Sequence, residues 1–371
     1  MDEGRVSPTS EGSTPLIEAL PSYFPSLDGL RAFSVLFVIH SHIVGGRTQV
    51  DYFNGWLGVD VFFVLSGFLI TGLLLREEKL TGSIDMAGFY IRRAFRILPL
   101  YWLVLGVYVL SLQRPSQLEK WTRMKFALPW FLTFNNDIPL TFMAQKVGTT
   151  FGLSWTLGVE EKFYFFWPIL CFIVLKSRRP RMGAAWAVYF LCIGMAAFSE
   201  KMGRSYSGLI VGAILAIVFS SSQLPKLKSW VSRIPAALVL GLVAVGFALV
   251  RVDERFVFVF SWMVALMVAS LLLKPSWLGN FLSHPVLVWL GKRSYAMYLI
   301  QGIAIDAVYQ IGRPKNGLQD VGYALLCFSV SCLGSAVLHY LVEEPARKMG
   351  KSIAAHRKQR QGLEVQRSMA G

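Results

Sequence analysis

Ten apolar runs, each close to the length of a membrane crossing, recur along the chain at about 28–45, 56–75, 94–112, 157–175, 183–199, 205–221, 234–250, 256–273, 293–311 and 321–342. A helix needs about 20 largely apolar residues to cross the hydrocarbon layer, because it rises only about 1.5 Å per residue. Within that layer each backbone amide must find its partner inside the segment. The expected fold is therefore an all-α polytopic membrane protein with about ten transmembrane helices. Composition agrees, with 54% hydrophobic and 16% charged residues in 371.

Charge sets the orientation. With the N-terminus in the cytoplasm, 24 of the 37 Lys and Arg, among them the loop charges Lys176, Arg178, Arg179 and Arg181, fall on the cytoplasmic side. This is the positive-inside asymmetry, and it predicts both termini cytoplasmic and an even number of spans. The formal charge of +15 has the same origin. No basic soluble domain interleaved with aromatics is present, so nucleic acid is excluded as a partner. Cys171, Cys192, Cys327 and Cys332 sit in apolar runs without metal-ligand spacing. They read as small buried hydrophobes, and no metal is expected. Residues 1–24 are polar, acidic and rich in Pro and Ser, without the features of a signal peptide. They read as a disordered cytoplasmic tail ahead of a transmembrane domain at 25–345, with the first run an uncleaved anchor. Residues 346–371 read as a basic cytoplasmic tail near the inner membrane surface. Two connections are longer than simple links: 76–93, which ends in a basic cluster, and 113–153, which carries Trp121, Trp130, Asn135 and Asn136. Long ordered loops are more often functional than idle.

Ionisable groups inside apolar runs are costly and mark sites. The first run carries Arg31, His40 and His42. At about 100° per residue, Arg31 and His42 return to within roughly 20° of one helix face, about 16 Å apart along the axis. His40 points to roughly the opposite side and reads as structural. An isolated intramembrane histidine is commonly a bonded structural group; a second ionisable group on its face favours function.

In SWTLGVEEKFYFFWP, from Ser154 to Pro168, the residues Thr156, Glu160 and Tyr164 recur at four-residue spacing, and Trp167 continues their face. Glu161 points about 100° away. Glu160 reads either as a carboxylate that orients a histidine or cationic group, or as an interfacial group favoured by the helix dipole. In FYIRRAFRILPLYW, from Phe89 to Trp102, Arg92, Arg93 and Arg96 crowd the start of a helix. One such arginine is ordinary positive-inside anchoring, whereas three within five residues suit a polyanion. In GWLGVDVFFVLSGFLITG, Asp60 shares a face with Gly67 and Thr71, and the segment reads mainly as packing architecture. In GKRSYAMYLIQ, Tyr295, Tyr298 and Gln301 recur at helical spacing and read either as interhelical hydrogen-bonding groups or as the lining of a cavity, with a structural role favoured. No serine elbow, zinc signature or phosphate loop occurs.

The segments LDGLRAFSVLFVIHSH, GWLGVDVFFVLSGFLIT, FYIRRAFRILPLYW, SWTLGVEEKFY, LGKRSYAMYL and VEEPARK, in this order across nearly the whole chain, resemble the membrane-bound acyltransferase family 3, whose members O-acetylate sugars and polysaccharides. The resemblance matches the family's basic residue and histidine to Arg31 and His42, its paired arginines to Arg93 and Arg96, and its glutamate to Glu160. It implies acyl-coenzyme A, usually acetyl-CoA, as a cytoplasmic donor. It also implies a carbohydrate acceptor, and a multi-pass enzyme in the lipid of a bacterial inner or plasma membrane. His42 is then the catalytic base or a transient acyl carrier, with Arg31 and Glu160 beside it. Arg93, Arg96 and Arg92 hold the coenzyme A phosphates, and Asp60, Tyr164 and Trp155 are candidates for substrate contact. Relatives often carry histidine where this chain has Gln301. The sequence lacks the soluble esterase-like domain that some relatives append, so a stand-alone transmembrane enzyme is expected. The rival reading is a proton-coupled transporter or flippase, with Arg31, His42, Asp60 and Glu160 as a relay.

Overall fold

The computed structural model describes residues 23–48, 54–113, 117–142, 150–197, 200–312 and 317–370. Every regular element among them is helical: α1 (Pro25–Thr48), α2 (Leu57–Thr81), α3 (Met86–Ser111), α4 (Leu118–Leu132), α5 (Asp137–Phe142), α6 (Trp155–Pro168), α7 (Arg178–Ala196), α8 (Glu200–Phe219), α9 (Leu224–Ser232), α10 (Ala236–Val252), α11 (Val257–Leu273), α12 (Trp277–Leu282), α13 (Pro285–Lys292), α14 (Ser294–Ile311), α15 (Gly317–Leu338) and α16 (Glu344–Ala370). A helix overlies each of the ten apolar runs. Among the described residues, four helical stretches can cross a membrane by length and composition: α2, α3, Glu254–Leu273 and Val321–Arg360. Gly203–Phe219 and Leu224–Ser232, bent by 107°, make a fifth if taken as one span. Leu110, Leu333 and Leu341 point outward and are exposed, as lipid-facing side chains are.

Two close crossings set the frame. On α1, a Cβ added to Gly29 would lie 1.9 Å from the Leu282 carbonyl oxygen, and one added to Gly291 would lie 1.9 Å from that of Asp28. Only glycine lets backbones meet at that range, so α1 begins directly against α12 and α13. Between α2 and α8, Gly67 faces the Leu209 carbonyl and Gly212 that of Val64 in the same way. These crossings seat the start of α1 against α12 and α13, and the middle of α2 against α8.

At Pro168, α6 passes into a π-helical turn over Ile169–Val174. Such a turn frees carbonyls that lipid cannot satisfy. Arg181 does so: its Nε donates to the Cys171 and Leu175 carbonyls at 2.6 and 2.9 Å, and its two Nη atoms grip Glu78 at 2.5 and 2.6 Å. The sequence counts Arg181 among loop charges, but it is 3% exposed and ties α7 to the end of α2.

The stretch 113–153, expected as a loop, is largely helical in its described residues. Phe131 of α4 and Phe151 pack edge-on, and Phe151 packs likewise against Tyr101 and Tyr108 of α3. Asn136 is fully buried there and donates to Tyr101 Oη at 3.0 Å and Ser154 Oγ at 2.7 Å. The result is a cap on one end of the bundle. The basic segment after 346 continues as α16, laid against α3. There Gly350 meets Phe95, and Arg357 reaches Asp85 Oδ1 at 3.0 Å. Asp85 also caps α3 by accepting from the Gly88 amide at 2.9 Å.

Candidate active site

A cavity of about 520 Å³ opens between the starts of α1 and α16, the inner face of α3 and the ends of α2, α8 and α13. Arg31, Arg76, Arg93, Arg96, Lys292 and Arg347 line it, against the two carboxylates Asp28 and Glu343. Both carboxylates are engaged: the Tyr23 hydroxyl donates to Asp28 Oδ2 at 2.8 Å, and His339 Nδ1 lies 3.0 Å from Glu343 Oε2. Tyr23 precedes α1, and its phenol pKa is raised, first by burial and then by the Asp28 carboxylate. His339 and Glu343 belong to a second π-helical turn, His339–Glu343, which turns both toward the cavity.

Two turns and more into α3, Arg93 and Arg96 are three residues apart, so both reach the cavity. Arg92 turns away, pairing with Glu77 at 3.5 Å, and the structure does not bring it to the other two. The Arg93 guanidinium lies 3.6 Å over the ring of Tyr164, which fixes it from one side. Its Nε and that of Arg31 are buried with no hydrogen-bond partner among the described residues. Arg96 sits in the repelling field of Arg31 and Arg93, with Glu343 as counter-charge. Crowded cations whose donors lack acceptors favour an anionic ligand.

A narrow pocket of about 50 Å³ adjoins the cavity, and Arg31 lines both. Glu160, Thr156, Tyr295 and Tyr298 line it too. Ser66, from the large cavity, donates to Glu160 Oε1 at 2.8 Å. The shared face read in α6 is therefore used along its length. Thr156 donates to Tyr298 Oη at 2.8 Å, Tyr164 lies under Arg93, and Trp167 Nε1 donates to Thr71 Oγ1 at 2.9 Å. Glu161 lies toward Arg93 instead, with Oε1 buried and without a hydrogen-bond partner among the described residues. Tyr298 also donates to the Leu153 carbonyl, which ties the cap to the pocket.

His42 lies about 16 Å along α1 from Arg31. Its Nδ1 is 3.0 Å from Gln301 Oε1. An amide oxygen only accepts, so Nδ1 carries the proton and the ring's lone pair is on Nε2. Gln301 is fully buried, and its Nε2 has no hydrogen-bond partner among the described residues. One turn before Gln301 on α14 is Tyr298 of the narrow pocket, so the pocket and His42 are neighbours along that helix. Tyr295 completes the interhelical reading of this segment by donating to the Ile97 carbonyl at 2.9 Å.

Other residues singled out in sequence lie elsewhere. Asp60 is buried against α8, in the field of Arg204, and lines neither cavity. Trp155 packs edge-on against Phe63 and lines neither, as does His40. Ser66, Arg76, Lys292, His339 and Arg347 enter the site without having been singled out. The sequence reads Gln301 as an interhelical hydrogen-bonding group, and the resemblance marks it as a position where relatives often carry histidine. A glutamine inside an apolar run was the one local sign, because a polar group at that depth needs a partner.

Residues 24–340 match the family model of the acyltransferase 3 domain, described as an acyltransferase domain. The chain belongs to this family. Among curated relatives of this acyltransferase domain, a Bacillus subtilis (strain 168) protein with the provisional name peptidoglycan O-acetyltransferase YrhL is 31% identical over 376 residues, covering 88% of this chain and 55% of the relative. The O-acetyltransferase OatA of Staphylococcus aureus (strain NCTC 8325 / PS 47) is 27% identical over 366 residues, covering 89% of this chain and 58% of the relative. The chain thus spans a little over half the length of the curated relatives it matches. No solved structure matches it.

Proposed function

We propose that this protein is an integral membrane O-acyltransferase. It moves an acyl group, acetyl by default, from cytoplasmic acyl-CoA to a hydroxyl of a carbohydrate acceptor across a bacterial cell membrane. Family membership supports the reaction class, and the name of one relative, the Bacillus subtilis protein, favours a peptidoglycan-type acceptor within the wider class of sugars, polysaccharides and glycoconjugates. The reading includes ten crossings with both termini cytoplasmic, as the distribution of Lys and Arg favours.

The observation that carries it is Arg31, which lines both the cation-rich cavity and the narrow pocket, on the helix that also bears His42. Arg31, Arg93 and Arg96 bind the donor's diphosphate. With about 16 Å between Arg31 and His42 along the helix axis, Arg31 serves the donor in this reading rather than the charge that develops beside His42. The pantetheine arm, of comparable extended length, passes Glu160 and Tyr298 toward His42. With Nδ1–H donated to Gln301, His42 Nε2 takes the proton of the acceptor hydroxyl as that oxygen attacks the thioester carbonyl. The C–S bond then breaks, and the imidazolium returns the proton to the departing thiolate. One ester forms, one thioester is lost, and His42 ends neutral. Transfer through an acyl-histidine leads to the same products.

The test is purified full-length protein in detergent, given labelled acetyl-CoA and an oligosaccharide acceptor. Labelled ester should form, and His42→Ala should lower kcat by roughly 10²–10⁴-fold while the protein melts as before. A folded His42→Ala protein with full transfer overturns the assignment.

A further inference from the structure

The cavity holds more positive charge than a diphosphate requires, and that charge falls into two groups. Arg31, Arg93 and Arg96 act on one another in the interior. Arg76, Lys292 and Arg347 line the same cavity from helix ends: Arg76 in the penultimate turn of α2, Lys292 as the last residue of α13, and Arg347 in the first turn of α16. We propose that Arg76, Lys292 and Arg347 form a second phosphate subsite, specific for the 3′-phosphate of the adenosine in coenzyme A. This deepens the acyltransferase reading above and rests on it.

The chemistry of the donor decides between the two groups. Acyl-CoA has two anionic centres, the diphosphate next to pantetheine and the 3′-phosphate on the ribose. A phosphopantetheine arm on a carrier protein has only one, a phosphodiester. If the arm runs from Arg31 toward His42, the diphosphate rests on the interior group, and the adenosine is left at the mouth. Two residues of the mouth group are held in place. Lys292 Nζ lies 5.1 Å over the ring of Tyr23, and Arg347 is bonded by Glu344 at 2.5 and 2.9 Å. Arg76 makes no ion pair among the described residues, and both carboxylates lining the cavity are already engaged. A phosphate arriving there meets preorganised cations, with Glu344 on Arg347 as the one carboxylate contact among the described residues that it shares or displaces at these three. Tyr23 and Phe24 line the same mouth, with Tyr23 half exposed, and offer a stacking face to adenine.

The test compares acetyl-CoA with acetyl-3′-dephospho-CoA as donors for the purified full-length protein. The unaltered protein should show a KM about tenfold lower for acetyl-CoA, the equivalent of one charge-assisted contact. In the Arg76→Gln/Arg347→Gln protein the two donors should have equal KM, because only the acetyl-CoA value rises. Adenosine 3′,5′-bisphosphate should likewise compete with acetyl-CoA about tenfold better than adenosine 5′-monophosphate on the unaltered protein, a comparison that needs no variant to fold. Equal KM values, or equal competition, on the unaltered protein overturn the subsite and leave the acyltransferase reading standing. So does a double variant that weakens both donors alike. A protein that neither binds nor turns over acetyl-CoA overturns both.

Discussion

Arg181 and the arginines of the large cavity are buried in one bundle, yet their surroundings differ in kind. At Arg181 the Nε and both Nη atoms are bonded, to two carbonyls freed by a π-helical turn and to the two oxygens of Glu78. In the cavity, Arg31 and Arg93 keep buried Nε atoms without hydrogen-bond partners among the described residues, and Arg96 lies close enough to both to be repelled. A buried cation with all its donors satisfied holds helices together. A cluster whose donors lack acceptors works against folding and is relieved only when an anion arrives. The same side chain thus serves as a staple in one place and as an unfilled binding site in the other.

Substitutions should separate the two roles. The largest effect is expected at the staple. Arg181→Ala leaves Glu78 and two carbonyls unpaired, and should destabilise the protein by roughly 3–5 kcal/mol in detergent unfolding; a loss below about 1 kcal/mol would dissolve the contrast. Arg93→Gln/Arg96→Gln should do the reverse. The KM for acetyl-CoA should rise by about 10–100-fold, while melting stays unchanged or improves because the repulsion is gone. Melting that collapses along with KM would make these arginines staples as well.

Gln301 lies between the two cases, with one end of its amide bonded to His42 and the other without a partner among the described residues. Gln301→Leu should lower kcat about tenfold through loss of the bond that orients the imidazole, with little change in the donor's KM. A change in KM alone would assign Gln301 to the donor side. The smallest effect sets the baseline. The exposed pair of Arg123 with Glu119 at 2.5 Å is four residues apart on α4, and Arg123→Ala should shift stability by less than about 0.5 kcal/mol.

Several of these features were legible along the chain. The helical class followed from the apolar runs, and a helix overlies each of them. Helical phase put Thr156, Glu160, Tyr164 and Trp167 on one face, and each makes a contact across helices or lies under Arg93. Phase also separated Glu160, in the narrow pocket, from Glu161. These are short-range matters, settled by a period of 3.6 residues. Arg181 was misread as a loop charge because nothing nearby in sequence announces the π-helical turn or Glu78, 103 positions away. The stretch 113–153 was misread as a loop because its helices are short and mixed in polarity. They are held by Phe131, Phe151 and Asn136 against α3 rather than by a pattern of their own.

By itself the sequence determined that this is a bundle of apolar helices, and which way the ionisable side chains on each helix point relative to one another. Tertiary structure alone decided which of those faces meet. It brought Gln301 to His42 across 259 positions, and gathered Arg76, Lys292 and Arg347 from three helix ends around one opening. The physical reason lies in the glycine crossings, Gly29 and Gly291 beside α1 and Gly67 and Gly212 between α2 and α8. A helical period orients a side chain about its own axis. Which helix it faces depends on where two backbones can approach closely, and that is a property of the pair.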